Sequence, residues 1–288
     1  MKFRGKMAEY HCIRKFYAII SSIAKIAKTC VMRLTVDKMY LIMSELNNVV
    51  GGPAVWGEID QENFFNEYNI EGVTPEHNEI YLEFSPDKMF KTLTSLKSPS
   101  VKGLKMKLTK KNSIPCLTFE VDLPSIVESR LCVHDIPVQV VPRRCWSEYE
   151  APILPPVHVS LCLPDLKVMK RMIEKYRILG STVAIAGRRD GSLSLKVESD
   201  EVVVASHFKN LRIPVSRSNQ MPWIMLEGAG VDSATVRVDL KRLNQFLCSE
   251  QLVPERSIAN IVDNEILHIM IVTHDLALQF FLPRTSKN

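Results

Sequence analysis

HDIPVQVVPRRCWSEYEAPILPP, residues 134–156, holds five prolines in twenty-three positions and divides the chain into two stretches that read alike. Proline removes a ladder donor and stiffens the backbone, so the later half of this segment reads as an extended linker. On its N-terminal side, alternation at period two predicts strands at 2–7, 30–36, 38–43, 55–59, 79–84, 104–110, 114–122 and 131–141. Helical spacing predicts helices at 11–28 and 85–97, the second opened by Ser85-Pro86 as hydroxyl cap and first-turn proline. QENFFNEYNIEGV (61–73) is polar and aromatic and reads as an irregular loop. Beyond 156 the pattern restarts, with a strand at 157–163, a helix opened by Pro164, and strands at 182–186, 193–198 and 202–208. After a polar loop carrying Pro214, Pro222 and glycines 228 and 230 come a strand at 234–239, a helix capped by Asp239, and strands at 258–262, 266–272 and 276–282. Strand, helix and several strands, repeated on both sides of a linker, is a supersecondary repeat without obvious residue identity. Few helices and many hairpin-linked strands imply an α+β fold of antiparallel sheets, with domains at 1–134 and 157–288 joined by a linker at 135–156.

The 288 residues suffice for two cores; 46% are hydrophobic and 24% charged, with no low-complexity tract. No apolar run approaches the ~18 residues that would read as a membrane span, so no membrane association is expected. A leader is not expected either, because Lys25 and Lys28 break the apolar run that follows a strand-like start. Seven cysteines (12, 30, 116, 132, 145, 162, 248) are never closer than thirteen positions and form no C-x-x-C pair. They read as buried thiols of a reducing compartment, with no metal and no cofactor expected.

Charge is distributed more informatively than the net +5. At about 100° per residue, Arg14, Ser21, Lys25 and Lys28 of the first helix fall within about 60° of one another, opposite Ile13, Phe16, Ile20, Ile23, Ala24 and Ala27. Alone, such a helix is equally a solvated surface helix or, more rarely, a membrane-surface one. The four predicted helices (11–28, 85–97, 164–177, 239–250) together carry fourteen Lys/Arg against five Asp/Glu, a net of +9 that leaves −4 for the rest. If all four lie on one side of the sheets, their cations form one basic surface suited to duplex phosphates, which are bound through counterion release and without sequence readout. The candidate DNA contacts are Arg14, Lys15, Lys25, Lys28, Lys88, Lys91, Lys167, Lys170, Arg171, Lys175, Lys241 and Arg242. Lysine-rich helices kept for solubility are the plain alternative.

Catalysis finds little support. The seven histidines include no H-E-x-x-H, and there is neither a P-loop, a dinucleotide fingerprint nor a nucleophile elbow. His134-Asp135 are adjacent on a predicted strand and point to opposite faces, and Gly187–Gly191 (GRRDG) reads as a hairpin turn. The chain reads as a non-enzyme.

Several strings, in order, resemble the Hus family, subunits of the heterotrimeric nine-one-one DNA-damage checkpoint clamp related to proliferating cell nuclear antigen. They are MKFR (1–4), IAKTC (26–30), QENFFNEYNIEGV (61–73), NEIYLE (78–83), HDIPVQVVPRR (134–144) with Trp146, ASHFKNL (205–211), NIVDN (260–264) and LQFFLP (278–283). The resemblance implies a DNA-clamp fold of two similar domains whose basic helices line a ring around duplex DNA. It further implies two other clamp subunits as partners, a separate clamp loader, recruited repair and checkpoint factors, and a nuclear location. A homotrimeric replication processivity clamp is the alternative. Edge strands, needed to join neighbours, are expected within 104–121 and 182–198. Ile153, Leu154 and Phe281 are candidates for a partner-peptide pocket.

Overall fold

A computed structural model describes residues 1–44, 54–99, 101–123, 130–214, 232–247, 252, 254–274 and 276–285. The chain forms two compact units, Met1–Ser44 with Trp56–Glu150, and Glu45–Val55 with Ala151–Asn288. The first runs β1 (Lys2–Met7), α1 (Tyr10–Ile26), β2 (Cys30–Leu34), β3 (Lys38–Met43), β4 (Val55–Asp60), α2 (Gln61–Phe64), β5 (Glu67–Glu71), β6 (Ile80–Phe84) and α3 (Pro86–Thr92). A 3-10 turn, Leu93–Lys97, extends α3, and β7 (Gly103–Lys111), β8 (Ile114–Leu123), β9 (Arg130–Pro137) and β10 (Gln139–Val140) follow. The second unit runs β11 (Val159–Cys162), α4 (Leu166–Leu179), β12 (Thr182–Arg188), β13 (Leu193–Glu198) and β14 (Val203–Phe208). It continues with β15 (Ser233–Asp239), α5 (Leu240–Leu247), β16 (Arg256–Val262), β17 (Ile266–Val272) and β18 (Leu276–Pro283).

Each unit is two strand–helix–three-strand modules whose first strands change places. In the first, β1 pairs with β7 of the other module in the order β5-β1-β7-β8-β9, while β6 pairs with β2 in the order β10-β6-β2-β3-β4. In the second, β15 joins β14-β13-β12, and β11 joins β16-β17-β18. Every pairing among the described strands is antiparallel, as hairpin-rich sequence predicts. The exchange ties both modules of a unit into one core, and each pair of helices packs together: α1 on α3, α4 on α5. Ile13, Phe16, Ile20 and Ile23 of α1 are fully buried, each contributing about 2 kcal/mol of apolar burial.

Three expectations need correction. Residues 61–73 form α2 and β5, not an irregular loop; β5 pairs along β1, with Lys2–Glu71 (2.9 Å) and Lys6–Glu67 (3.2 Å) across the ladder. Alternating charge hid the strand from an apolar pattern. Residues 135–149 are not linker. They complete β9 and supply β10 and a 3-10 turn, Arg143–Tyr149, whose Trp146 ring stacks on Tyr81 at 4.4 Å and donates Nε1–H to the Val141 carbonyl. Only 151–156 run without helix or strand. Finally, 104–121 and 182–198 are interior strands: the sheet edges are β5, β9 and the short β10 in the first unit, β11, β14 and β15 in the second. Pro222, the glycines at 228 and 230, and Cys248 lie outside the described residues.

The GRRDG hairpin forms as expected, turning through Gly191 at φ +86°, where an added Cβ would meet the Leu211 carbonyl oxygen at 2.6 Å. Both the left-handed backbone and the clash with main chain oppose a side chain. Gly191→Ala is expected to cost about 2 kcal/mol, lowering Tm by several degrees in thermal unfolding. An unchanged Tm would refute that account of the turn.

Candidate nucleic-acid interface

The sequence places cations by helical spacing, and the structure shows what surrounds each. On α1, Arg14 and Lys25 are exposed and Lys15 is half-buried; Lys28 lies beyond the helix, past the extended C-cap Ala27. Ser21, assigned to the cationic side, is buried, and Ser22 beside it donates its hydroxyl to the Ala18 carbonyl at 2.9 Å. Arg14 reaches across to α3's continuation, Nη1 donating to the Lys97 carbonyl at 3.4 Å. Lys97 in turn lies 6.0 Å over the Tyr17 ring and 5.8 Å over Phe90, which stack on each other at 5.4 Å. This seam adds Lys97 to the cationic face. Its position in the predicted helix was legible, but its docking over two rings depends on α1 meeting α3.

On α3, Lys88 is exposed without an ion-pair partner among the described residues, whereas Lys91 sits 2.7 Å from Asp87 one turn earlier. Such exposed pairs are worth little in stability but lower the local positive potential.

In the second unit, Asp165 opens α4 by accepting from the backbone N–H of Lys167 (2.7 Å) and Val168 (3.3 Å). That fixes the helical phase: Leu166, Met169, Ile173 and Tyr176 are buried, while Lys167, Arg171 and Lys175 are exposed and Lys170 half-buried. Arg171 and Lys175 line one cavity of about 380 Å³ with Tyr176 and Ser206, whose hydroxyls meet at 2.5 Å. Asp239 caps α5 through the Arg242 N–H at 2.8 Å and turns Lys241 outward. Lys241 and Arg177 line a second cavity, about 480 Å³, between the end of α4 and the start of α5. Arg177, unnamed among the candidates, is placed there by the α4–α5 packing.

The peptide-pocket candidates differ in exposure. Ile153 is 92% exposed, Leu154 is half-buried, and Phe281 is buried in β18 with its ring stacked on His268 at 4.7 Å. Phe281 therefore serves the sheet and offers no wall to a ligand. His134 and Asp135 face opposite sides of β9, toward Ser95 and Thr118 respectively. Glu9, His11 and Cys12 bring potential ligand atoms within 4.8 Å at the start of α1. The imidazole is engaged on both sides, Nδ1 3.2 Å from Glu9 and Nε2 3.3 Å from the Cys12 sulfur, so the trio forms a hydrogen-bonded chain. Of the described cysteines, 12, 30 and 116 are buried thiols and 132, 145 and 162 are partly exposed; none forms a disulfide.

The family described as "Hus1-like protein" matches residues 1–286. The chain belongs to that family. Human "Checkpoint protein HUS1" is 39% identical over 289 residues, covering 99% of this chain and 100% of that protein. The Drosophila melanogaster "Checkpoint protein Hus1-like" is 30% identical over 98% of this chain and 99% of its own. Among solved structures, proliferating cellular nuclear antigen from Entamoeba histolytica aligns at TM-score 0.71 and 12% identity, over 99% of both chains. PCNA from Thermococcus kodakaraensis aligns at 0.67 and 15%, covering 98% of this chain and 100% of that one. The Hus1-like chain thus has the clamp fold of these proteins, an α+β architecture of antiparallel sheets with few helices.

Proposed function

We propose that the chain is one subunit of a heterotrimeric checkpoint clamp that closes around duplex DNA and serves as a platform for checkpoint signalling and repair factors. The full-length 39% identity to a checkpoint protein, on a clamp fold, carries this reading. The sheet edges support it. β9 exposes Leu131 (57%) and Val133 (51%), and β14 exposes Val203 (60%), beside backbone groups that pair on one side only. Two such edges on different units suit strand addition by two neighbours.

In this reading the helical cations face the enclosed duplex: Arg14, Lys15, Lys25, Lys28, Lys88, Lys91, Lys167, Lys170, Arg171, Lys175, Lys241 and Arg242, with Lys97 and Arg177 added. Their contacts are to phosphates, salt-screened and sequence-independent, so the ring is held by topology and slides. The work is positional and not catalytic, in the nucleus, with opening of the ring left to a separate loader. The domain boundary is placed after Glu150, with 151–156 as the connection.

Native mass of the chain alone and co-expressed with two different clamp subunits tests the reading. A monomer near 33 kDa (mass 32.8 kDa) that enters a 1:1:1 complex is expected. A stable homotrimer would favour a replication processivity clamp and overturn the heterotrimer.

A further inference from the structure

The face of β12–β15 turned away from the helices carries a hollow that the clamp reading does not use. Register defines it. His207, Ser194, Ala186 and Thr235 lie directly opposite one another in a row across all four strands. Arg188 and Ser233 form the adjacent pair, and Lys209 follows β14 at the same end. Alternation fixes the direction in which this row points. Ser206, one position from His207, meets Tyr176 of α4, so the row containing His207 faces the other way. Small side chains, Ser194 and Ala186, make the floor; long basic ones, Arg188 and Lys209, make the walls. The resulting cavity has a volume of about 380 Å³.

Its electrostatics are one-sided. The side chains of Arg188, His207 and Lys209 are exposed, and none is in a close ion pair among the described residues, although the Arg188 guanidinium is near enough to Asp190 to favour its ionised form. Among the described residues no carboxylate lines the cavity. Of the acids on the flanking turns, Asp190 accepts the Ser192 N–H at 2.8 Å and Asp263 accepts the Thr235 N–H at 2.7 Å, while Asp232 precedes Ser233 at the rim. Hydroxyls of Ser194, Ser233 and Thr235 add donors around the floor, while that of Ser192 is held by Asp190. A guanidinium, an ammonium, an imidazole and several hydroxyls converging on a small open hollow match a tetrahedral oxyanion.

We propose that this hollow is a phosphate-binding pocket that docks a phosphoserine- or phosphothreonine-bearing segment of a partner protein. A single walled hollow fits one phosphoryl group, whereas a duplex needs a track of cations at phosphate spacing, which the opposite, helical face offers. Strand addition at the β14 edge uses backbone groups in the plane of the sheet and leaves the face open, so docking is compatible with an assembled ring. The inference stands apart from the clamp reading, since it concerns a surface that reading leaves unassigned.

The test is titration of the full chain, followed by backbone amide NMR, with a short acetylated and amidated phosphoserine peptide and its unphosphorylated twin. Saturable shifts centred on Ser194 and Thr235, with Kd on the order of 1 mM, are expected for the phosphopeptide alone. Arg188→Ala/Lys209→Ala should weaken binding about tenfold or more, and Ser194→Glu, which fills the floor with like charge, should do the same. Lys25→Glu/Lys28→Glu, on the helical face of the other unit, should leave it unchanged. Equal response to both peptides, or full binding by the Arg188/Lys209 variant, would overturn the proposal. So would a duplex oligonucleotide that perturbs the same amides and displaces the peptide, since the hollow would then belong to nucleic acid.

Discussion

Acidification from pH 7.5 to pH 4 is expected to remove about 3 kcal/mol of stability through one residue, His268. Its imidazole lies in a row across four strands of the second unit, Ser160, Asn260, His268 and Phe281 standing directly opposite one another. The Ser160 hydroxyl donates to Asn260 Oδ1 at 2.7 Å, which turns the Asn260 amide nitrogen toward His268 Nδ1 at 3.0 Å. Nδ1 therefore accepts, and Nε2–H donates to Gln279 Oε1 at 2.9 Å. That tautomer satisfies every partner while neutral. Protonation would set two donors against each other at Nδ1 and bury a charge, and the ring is only 1% exposed. Burial pushes the pKa from 6.5 down to about 4, partly offset by Gln279. Because the unfolded state takes the proton first, this contribution is complete above pH 6.5 and is lost as pH falls toward 4. Urea unfolding of wild type and His268→Gln across this range isolates it from the carboxylates. The stability difference between them should shift by about 3 kcal/mol in the variant's favour on acidification. Parallel pH profiles would mean that the imidazole does not stay neutral in the fold.

His268 also marks where sequence reading ran out. The strands around it, IANIV and ILHIMIV, are apolar on both faces, so alternation locates the strand without saying which polar residues will meet. Register at the 263–265 turn brings Asn260 opposite His268, and only the exchange of first strands between modules, which no local pattern encodes, brings Ser160 opposite Asn260. The sheet edges were misplaced for a related reason. Strands 104–110 and 182–186 look independent in one dimension, but β1 and β15 add to their open sides from distant sequence, which leaves β5 and β15 as the edges there, while the hairpin-linked β9 and β14 close the other side. Trp146 holding residues past 134 against Tyr81 is likewise a tertiary contact written in a stretch whose prolines announce a linker. By contrast, helix phase, the buried stripes and the cationic faces were legible because they depend on 3.6-residue spacing and on local caps such as Asp165 and Asp239. The hollow at Arg188 and Lys209 was not, since its walls lie some twenty residues apart and its floor is two small residues on neighbouring strands.

Lys25→Glu/Lys28→Glu is expected to weaken retention of the assembled clamp on duplex DNA by roughly tenfold to a hundredfold at physiological ionic strength, and to lower the salt slope by about two. Both residues are exposed and make no ion pair among the described residues, so the reversal acts on the field outside the protein and breaks nothing within it. Lys25 sits in the last turn of α1, where a cation suits the helix dipole, so the glutamate costs up to about 1 kcal/mol of stability. Lys25→Gln/Lys28→Gln separates that cost from DNA binding, since it removes two contacts without adding repulsion and should give an intermediate retention. Lys91 provides an internal comparison. Its ammonium is already shared with Asp87 at 2.7 Å, so Lys91→Glu should weaken retention less than reversal at Lys88, which has no such partner. The measurement is salt-dependent dissociation of the purified heterotrimer from end-blocked duplex, with thermal unfolding run alongside. A graded loss, Lys25/Lys28 beyond Lys88 beyond Lys91, at nearly constant Tm would follow the potential that each cation projects from its helix. Wild-type retention in all three would mean that the helical face does not meet the DNA, and that its cations serve solubility.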